Sequence, residues 1–537
     1  MSEDHRVFWA DEIADQIEAR EPTEPIVIKG GISPSGVPHL GNANEIVLGY
    51  FVAEVLRERG LEVRQVFTTD DRDPLRKLPR TLANLDGELV DLGDVDAGAL
   101  GRNLGHPYTA IPDPFGCCTS YGAHFTTLIE DIATDLGIPI DVVSTTELYE
   151  SGALDDAIRT VLSTREDAID VLARYQDQVD PSYVPFKVHC RACGKETNTI
   201  TDIDLDRGEL AYRCTDIVAG NRTIDGCEDE GTVGLRDGKL PWRFEWVAQW
   251  QELGVDFEPF GKDHAEGSWP SGVDIAERIF DIEPPVPMTY EWFTLDGEPF
   301  SSSEGHVIMV SEALDLIEPA VLRYFFARDP GRASDFSIER IDLLVDQFDR
   351  LEDIALSRID ADPDDTAFAE RVYPFLVGEV RTERVRIPYR FAAVLGMTDD
   401  PAVQEEIARK EGHIPDEAPS WAVEEAMERI GRARRWARRT DNEYNYRLQR
   451  TQLPNVPVDE ETAAALEDIA SVVEKGADGE TIQGAIFSAA RDHDMNPGQL
   501  FGTGYQLFLN RDDGPKLGPF LAHLDRDFAA ARLRRER

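Results

Sequence analysis

A short apolar run, Pro25-Ile26-Val27-Ile28, is followed by a turn rich in glycine, serine and proline and then by a helical pattern from Glu45 through Tyr50 to Leu56. A strand, a loop and a helix start, in that order, open an α/β sheet, because they form the first half of a parallel crossover. The turn reads Ser33-Pro34-Ser35-Gly36-Val37-Pro38-His39-Leu40-Gly41-Asn42. Glycine lets backbone approach a ligand closely, and the free N–H groups of a helix start attract phosphate. The turn is a candidate nucleotide site, with His39 as an added donor.

The α/β pattern continues downstream. A second strand, Glu62 to Thr68, ends in the charged stretch Asp70 to Lys77, the position at which open parallel sheets bind ligands. Helices are expected at about Tyr121 to Leu136 and Leu154 to Tyr175, with a strand near Ile140 to Val143. Trp242, Trp246 and Trp250 share a helical spacing, which suits a core face or a ligand platform. After them a strand ends at Gly261, followed by Lys262, Asp263 and His264. A helix near Val273 to Ile282 and a strand Met288 to Phe293 lead to Phe300-Ser301-Ser302-Ser303-Glu304-Gly305. That segment and the His39 turn fit the two ends of one ATP site.

With 537 residues the chain exceeds one core, so about two to four domains are expected. Boundaries fall at 1–185 and 236–335 for two halves of a sheet core, 186–235 for a cysteine-rich insertion, and 336–537 for a helical domain. In the insertion, Cys190-x2-Cys193 followed by Cys214 and Cys227 has the spacing of a structural four-thiolate Zn²⁺ site. Four thiolates leave no open coordination position, and His189 stands beside them as a bystander. Cys117-Cys118 is a separate pair.

The formal charge is −49, and only nine of the basic residues are lysine. Such self-repulsion suits molar salt, where the Debye length is about 3 Å, so the composition is that of a halophile. An overall basic balance therefore cannot serve as a test for nucleic-acid binding. A local basic island does occur: Arg432, Arg435 and Arg439 share a helix face, with Trp436 among them and Tyr444, Tyr446 and Arg447 close behind. Arginine interleaved with aromatics suits single-stranded RNA. No run approaches the roughly 20 apolar residues of a membrane span, and Met1 to Arg6 has no signal-peptide pattern, so a soluble cytoplasmic protein is expected.

Taken together, these residues resemble the class I lysyl-tRNA synthetases of archaea and some bacteria. Pro38-His39-Leu40-Gly41-Asn42 is similar to the HIGH signature, with Asn42 in place of a second histidine, and Ser301-Ser302-Ser303-Glu304 is similar to the KMSKS loop. The resemblance extends through Asp71 to Pro79, Ile111 to Cys117, Phe257 to His264, Met288 to Trp292, and Gly514-Pro515-Lys516-Leu517-Gly518. It implies a Rossmann-type α/β catalytic core with a zinc-type insertion and an all-α C-terminal cage that binds the anticodon. The implied reaction activates lysine with ATP and Mg²⁺ to lysyl-adenylate, then esterifies a lysine tRNA. Ser33 to Gly36, Pro38, His39, Gly41, Asn42, Asp263 and Ser301 to Ser303 would hold ATP. His39, Asn42 and Ser301 to Glu304 would carry catalysis. Gly31, Ser33, Trp242, His264 and Tyr290 look like the amino-acid pocket, and Arg432, Arg435, Trp436, Arg439 and Tyr446 are the candidate tRNA contacts. Candidate carboxylates for the lysine ammonium are Asp73, Glu245 and Asp263. Glu304 reverses the charge of the lysine expected there, leaving His306, Arg76, Lys77 or Mg²⁺ to neutralise the phosphates. A glutamyl-tRNA synthetase and a non-catalytic tRNA-binding paralogue are the alternatives, and oligomeric state is open.

Overall fold

The computed structural model describes residues 7–176, 179–219, 222–300 and 306–536. The chain divides into two compact units, and the first comprises 1–314, 319–337 and 351–380. Its centre is a five-stranded sheet built from β1 (Ile26–Ile32), β2 (Val63–Thr69), β3 (Asp141–Ser144), β4 (Val255–Gly261) and β5 (Val286–Tyr290). All four pairings are parallel, in the order β3-β2-β1-β4-β5. The chain winds outward from β1 to β3 and returns to β4, beside β1. The order reverses at that point, and the crevice beyond the carboxyl ends of β1 and β4 is where such sheets receive ligands.

Strands β1 and β2 form because their apolar runs are covered on both faces: Ile26, Ile28, Val66 and Phe67 are all at most 2% exposed. Each such side chain contributes about 1.5–3 kcal/mol of burial. Helix α1 (Ala43–Glu58) follows the signature turn, and twelve of its sixteen residues are buried. Gly49 permits its close seat on the sheet, since a Cβ there would lie 3.0 Å from Gln65 and 3.2 Å from Ile28. Helix α2 (Tyr121–Asp135) is capped by Ser120, which accepts the Ala123 N–H at 3.0 Å. Helix α3 (Trp242–Leu253) precedes β4.

Three expectations are corrected. The helix read over Leu154 to Tyr175 is two helices, Asp155–Ser163 and Arg165–Leu172, broken at Thr164, whose φ of −102° and ψ of 29° leave helical geometry. The strand read over Met288 to Phe293 is interrupted where Glu291 N–H turns to the Pro330 carbonyl at 2.8 Å, so Phe293–Leu295 pairs in a separate small sheet. Residues 351–380, read as part of the helical domain, pack with the sheet unit: Arg371 pairs with Asp11 and Glu58, and Tyr50 donates to the Phe375 carbonyl.

The second unit, 315–318, 338–350 and 381–537, is helical in its described elements from Tyr389 onward. Helix α4 (Tyr389–Leu395) packs on α5 (Ser420–Thr440), and α6 (Glu460–Glu474), α7 (Gly479–Asp492), α8 (Pro497–Leu509) and α9 (Leu517–His523) enclose an apolar core around Leu466, Ile486 and Phe508. Arg429 is wholly buried, giving two hydrogen bonds to Asp349 at 2.6 and 2.8 Å and one to Glu318 at 2.5 Å. Among the described residues no helix is long and apolar enough to cross a membrane.

Candidate active site

The signature turn folds into a compact loop held by its own side chains. Asn42 Oδ1 accepts the His39 N–H at 2.9 Å while His39 Nδ1 accepts the Gly41 N–H at 3.1 Å, so the Asn42 side chain fixes the His39 backbone and the His39 side chain fixes that of Gly41. Because Nδ1 is an acceptor, the ring proton sits on Nε2. Burial lowers the His39 pKa to about 4, and the imidazole is neutral near pH 7. Tyr121 holds the turn from α2 by donating to the Ser35 carbonyl at 2.8 Å. A cavity of about 340 Å³ opens beside the turn, lined by Ser33, Ser35, Gly36, Pro38, His39 and Asn42. Lys77, Leu78, Pro79 and Thr81 also line it.

The residues flanking the serine loop meet this turn. The Phe300 ring stacks on His39 with centroids 5.1 Å apart and planes 21° from parallel, and the Leu40 N–H bonds the Ile308 carbonyl at 2.9 Å. Ser301, Ser302, Ser303, Glu304 and Gly305 themselves lie outside the described residues. His306 is not aimed at a phosphate: its Nε2 donates to the Leu295 carbonyl at 2.9 Å.

The five expected amino-acid pocket residues gather at the carboxyl ends of β1, β4 and β5 and the start of α3. Gly31 and Tyr290 share one carboxylate, Glu45 on α1, which accepts the Gly31 N–H at 2.8 Å and the Tyr290 hydroxyl at 3.1 Å. Gly31 must be glycine, since a Cβ would lie 2.4 Å from Thr68 Oγ1. Ser33 is hydrogen-bonded to Tyr108. Trp242 lies 5.2 Å from the His264 ring and stacks on Trp246 at 4.9 Å. Trp246 and Trp250 are core residues whose indole N–H groups both donate to Glu258, which also pairs with buried Lys29 at 2.7 Å. Asp263 is exposed and lies 3.6 Å from His264.

Glu45 escaped the sequence reading. Burial raises its pKa to about 7, with Glu258 adding to the rise and the Gly31 N–H and Lys29 opposing it. Two of the expected ammonium partners are already taken: Lys239, only 1% exposed, pairs with Asp73 and with Glu245 at 3.0 Å, and Tyr149 donates to Glu245 at 2.6 Å. The sole signal for Glu45 was an acidic residue opening an otherwise apolar helix.

Two clusters have metal-binding chemistry. Cys190, Cys193, Cys214 and Cys227 bring their sulfurs within 4.8 Å of one another, with Cys190–Cys227 at 3.5 Å and Cys193–Cys214 at 3.7 Å. Tetrahedral zinc with bonds of about 2.3 Å puts sulfurs about 3.8 Å apart, so the donor set fits. Asp113, Cys117, Cys118 and His124 form a second group within the same 4.8 Å limit, missed because the sequence reading set the cysteine pair aside. His124 Nε2 donates to the Ala83 carbonyl at 2.8 Å, which turns the Nδ1 lone pair toward Cys117 at 3.3 Å and Asp113 at 3.4 Å. Such orientation by a backbone carbonyl is usual for metal-ligating histidine.

In the helical unit the arginine island is partly internal, which corrects its reading as an RNA platform. Trp436 is 2% exposed, donates to the Ile338 carbonyl at 2.8 Å and packs between Tyr389 and Tyr444. Tyr446 is 9% exposed, with Arg511 over its ring. Arg432 pairs with Glu428, Arg435 bonds Asp315, and Arg439 is exposed. The same unit holds a half-open cavity of about 740 Å³ walled by Phe391, Leu448 and Phe520, with Arg450, Lys516 and Arg526 and also Glu411, Asp478 and Glu480 in its lining.

Residues 7–376 match the family described as tRNA synthetases class I (K). A lysine–tRNA ligase of Haloarcula marismortui is 60% identical over 530 residues, covering 99% of this chain and 97% of that one. One of Halobacterium salinarum is 61% identical, with coverage of 99% and 97%. One of Pyrococcus horikoshii is 32% identical, with coverage of 99% and 100%. With the signature turn, the parallel sheet and near full-length similarity all in place, this chain belongs to the class I (K) tRNA synthetases.

Proposed function

We propose that this chain ligates L-lysine to lysine tRNA in the cytoplasm, consuming ATP and releasing AMP and pyrophosphate by way of lysyl-adenylate. The observation that carries the choice of amino acid is Glu45, a carboxylate presented between Gly31 and Tyr290 with its pKa raised by burial. A desolvated ammonium requires such a partner. A glutamate pocket would need an unpaired cation instead, and Lys29 is neutralised by Glu258.

The lysine carboxylate attacks the α-phosphorus in line and pyrophosphate leaves, so the chain's task is positioning and charge neutralisation. Neutral His39 offers Nε2–H as a donor, the backbone of Ser33 to Asn42 cradles the phosphates, and the hydroxyls of Ser301 to Ser303 are assigned to the same phosphates. Asp263 stands by the ribose. Lys77, on the cavity wall, supplies the cation that Glu304 does not. Mg²⁺ bound with ATP would lower the phosphates' charge; no carboxylate is among the cavity's described lining, so phosphate and water oxygens would hold it. A hydroxyl of the tRNA's terminal adenosine then attacks the lysyl carbonyl, and AMP departs.

Zn²⁺ at the four cysteines is structural in this reading, and the Asp113 cluster takes a second ion. For tRNA, the large cavity replaces Trp436 and Tyr446: its apolar walls receive an unstacked base, while Arg450, Lys516 and Arg526, with Arg439 nearby in sequence, meet phosphates. The test is pyrophosphate exchange in molar KCl. Exchange that depends on lysine and not on glutamate supports the reading, and exchange with glutamate alone or with neither amino acid overturns it.

A further inference from the structure

The four-cysteine knuckle is tied to the wall of the nucleotide cavity by a continuous run of hydrogen bonds. His106 donates from Nε2 to the carbonyl of Cys193 at 2.7 Å, and Gly194 lies so close under that ring that a Cβ would come within 3.0 Å of it. One residue past the knuckle turn, the Glu196 N–H bonds the Gly105 carbonyl at 2.9 Å. The Glu196 carboxylate, 4% exposed, receives Lys187 at 3.1 Å and Arg76 at 3.4 Å. Segments 73–75 and 105–108 are zipped together in turn: Leu75 N–H to His106 O at 2.9 Å, Gly105 N–H to Leu75 O at 2.8 Å, and Tyr108 N–H to Asp73 O at 3.0 Å. Directly after Arg76, Lys77, Leu78, Pro79 and Thr81 line the same cavity as His39.

We propose that the cysteine knuckle positions Lys77 for the triphosphate, acting through His106 and Glu196. Gly194 N–H closes the knuckle on Cys190 O at 2.7 Å, and Cys190 N–H bonds Lys195 O at 2.9 Å, so the geometry around the sulfurs dictates where Cys193 O and Glu196 N–H point. Those two groups grip the 105–106 backbone, which grips residues 73–75. Glu196 holds Arg76 from the side. A metal ion held by the four cysteines would thus act at a distance, by fixing the backbone that keeps Lys77 in place. His106 and Glu196 are positioning residues, since neither lines the cavity.

This inference rests on reading Lys77 as the phosphate cation, and the experiment separates the two. In molar KCl, full-length wild type, Lys77→Ala and Glu196→Gln are compared with wild type stripped of metal by a chelator, whose metal content and melting curve are checked. Equilibrium ATP binding and the separate KM values for ATP and lysine are measured. All three perturbations should weaken ATP binding between about tenfold and a hundredfold, the range for a misplaced catalytic group. The lysine KM should change less than about twofold. Restoring Zn²⁺ should recover ATP affinity in the stripped wild type. Weakening by Lys77→Ala with no effect of Glu196→Gln or metal removal overturns the coupling alone. An unchanged ATP affinity in Lys77→Ala overturns both readings. Equal losses for ATP and lysine in Glu196→Gln reduce the knuckle to a general stabiliser and also overturn the coupling.

Discussion

Phe300 stacks on His39 with ring centroids 5.1 Å apart, and this contact brings together two segments 261 positions apart in the chain. The ring covers one face of the imidazole and sits immediately before the serine loop. An aromatic pair contributes about 0.5–1.5 kcal/mol beyond its buried area. Phe300→Ala should therefore lower kcat/KM for ATP by about threefold to tenfold, with Phe300→Tyr near wild type. Pyrophosphate exchange under varied ATP checks this.

Glu45 must be ionised to hold an ammonium, and its pKa is raised to about 7 by burial. With Glu45 as the ammonium partner, lysine binding should therefore weaken below pH 7, where the carboxyl is protonated, and strengthen as pH rises through that value. The pH profile of kcat/KM for lysine should show this rise, and Glu45→Gln should flatten it while leaving the ATP profile intact.

Lys77→Ala should lower exchange by about a hundredfold, the effect of removing one transition-state charge partner. Glu304→Lys in that background should recover part of the loss, because it restores a cation to the serine loop. A double variant no faster than Lys77→Ala alone would show that the two positions do not serve the same charge.

Removing one partner of a buried ion cluster strands the rest. Arg429→Ala leaves Glu318 and Asp349 without their shared guanidinium and should cost about 3–5 kcal/mol. Arg429 holds the Glu318 pKa down from 4.5 to about 2 against the opposing push of burial, so stability from this contact is full at neutral pH and is lost progressively as pH falls from 4.5 through about 2. Thermal melts of the full chain in molar KCl test both statements.

Lys516→Ala and Arg526→Ala should raise the KM for tRNA by about tenfold, roughly what loss of a charged contact costs. Lysine-dependent exchange without tRNA should stay unchanged. An Arg432→Ala control should do little, since that guanidinium is paired with Glu428.

The sheet and the turn after its first strand were legible because both signals are local: apolar runs of strand length, and a glycine-serine-proline turn before a helix. What stayed hidden required tertiary geometry. Glu45 acquires its meaning from a hydroxyl 245 positions away, and Asp73 and Glu245 lose theirs to Lys239. Helical spacing put Trp436 beside Arg435 but could not say that the indole faces inward. The Asp113 group was legible in principle, since four ligand-type side chains fall between Asp113 and His124. Setting Cys117-Cys118 apart from the other four cysteines concealed it.

Of the nine lysines, Lys29 and Lys239 are sealed inside, each against carboxylates in the sheet unit. Mobile ions reach surface charges and leave sealed ones almost untouched. The exterior is thus the part of this protein that answers to salinity, while the two internal lysines keep their strength in brine and fresh water alike. Changing the salt habit of the chain is a task for its surface, and these two positions can be left as they are.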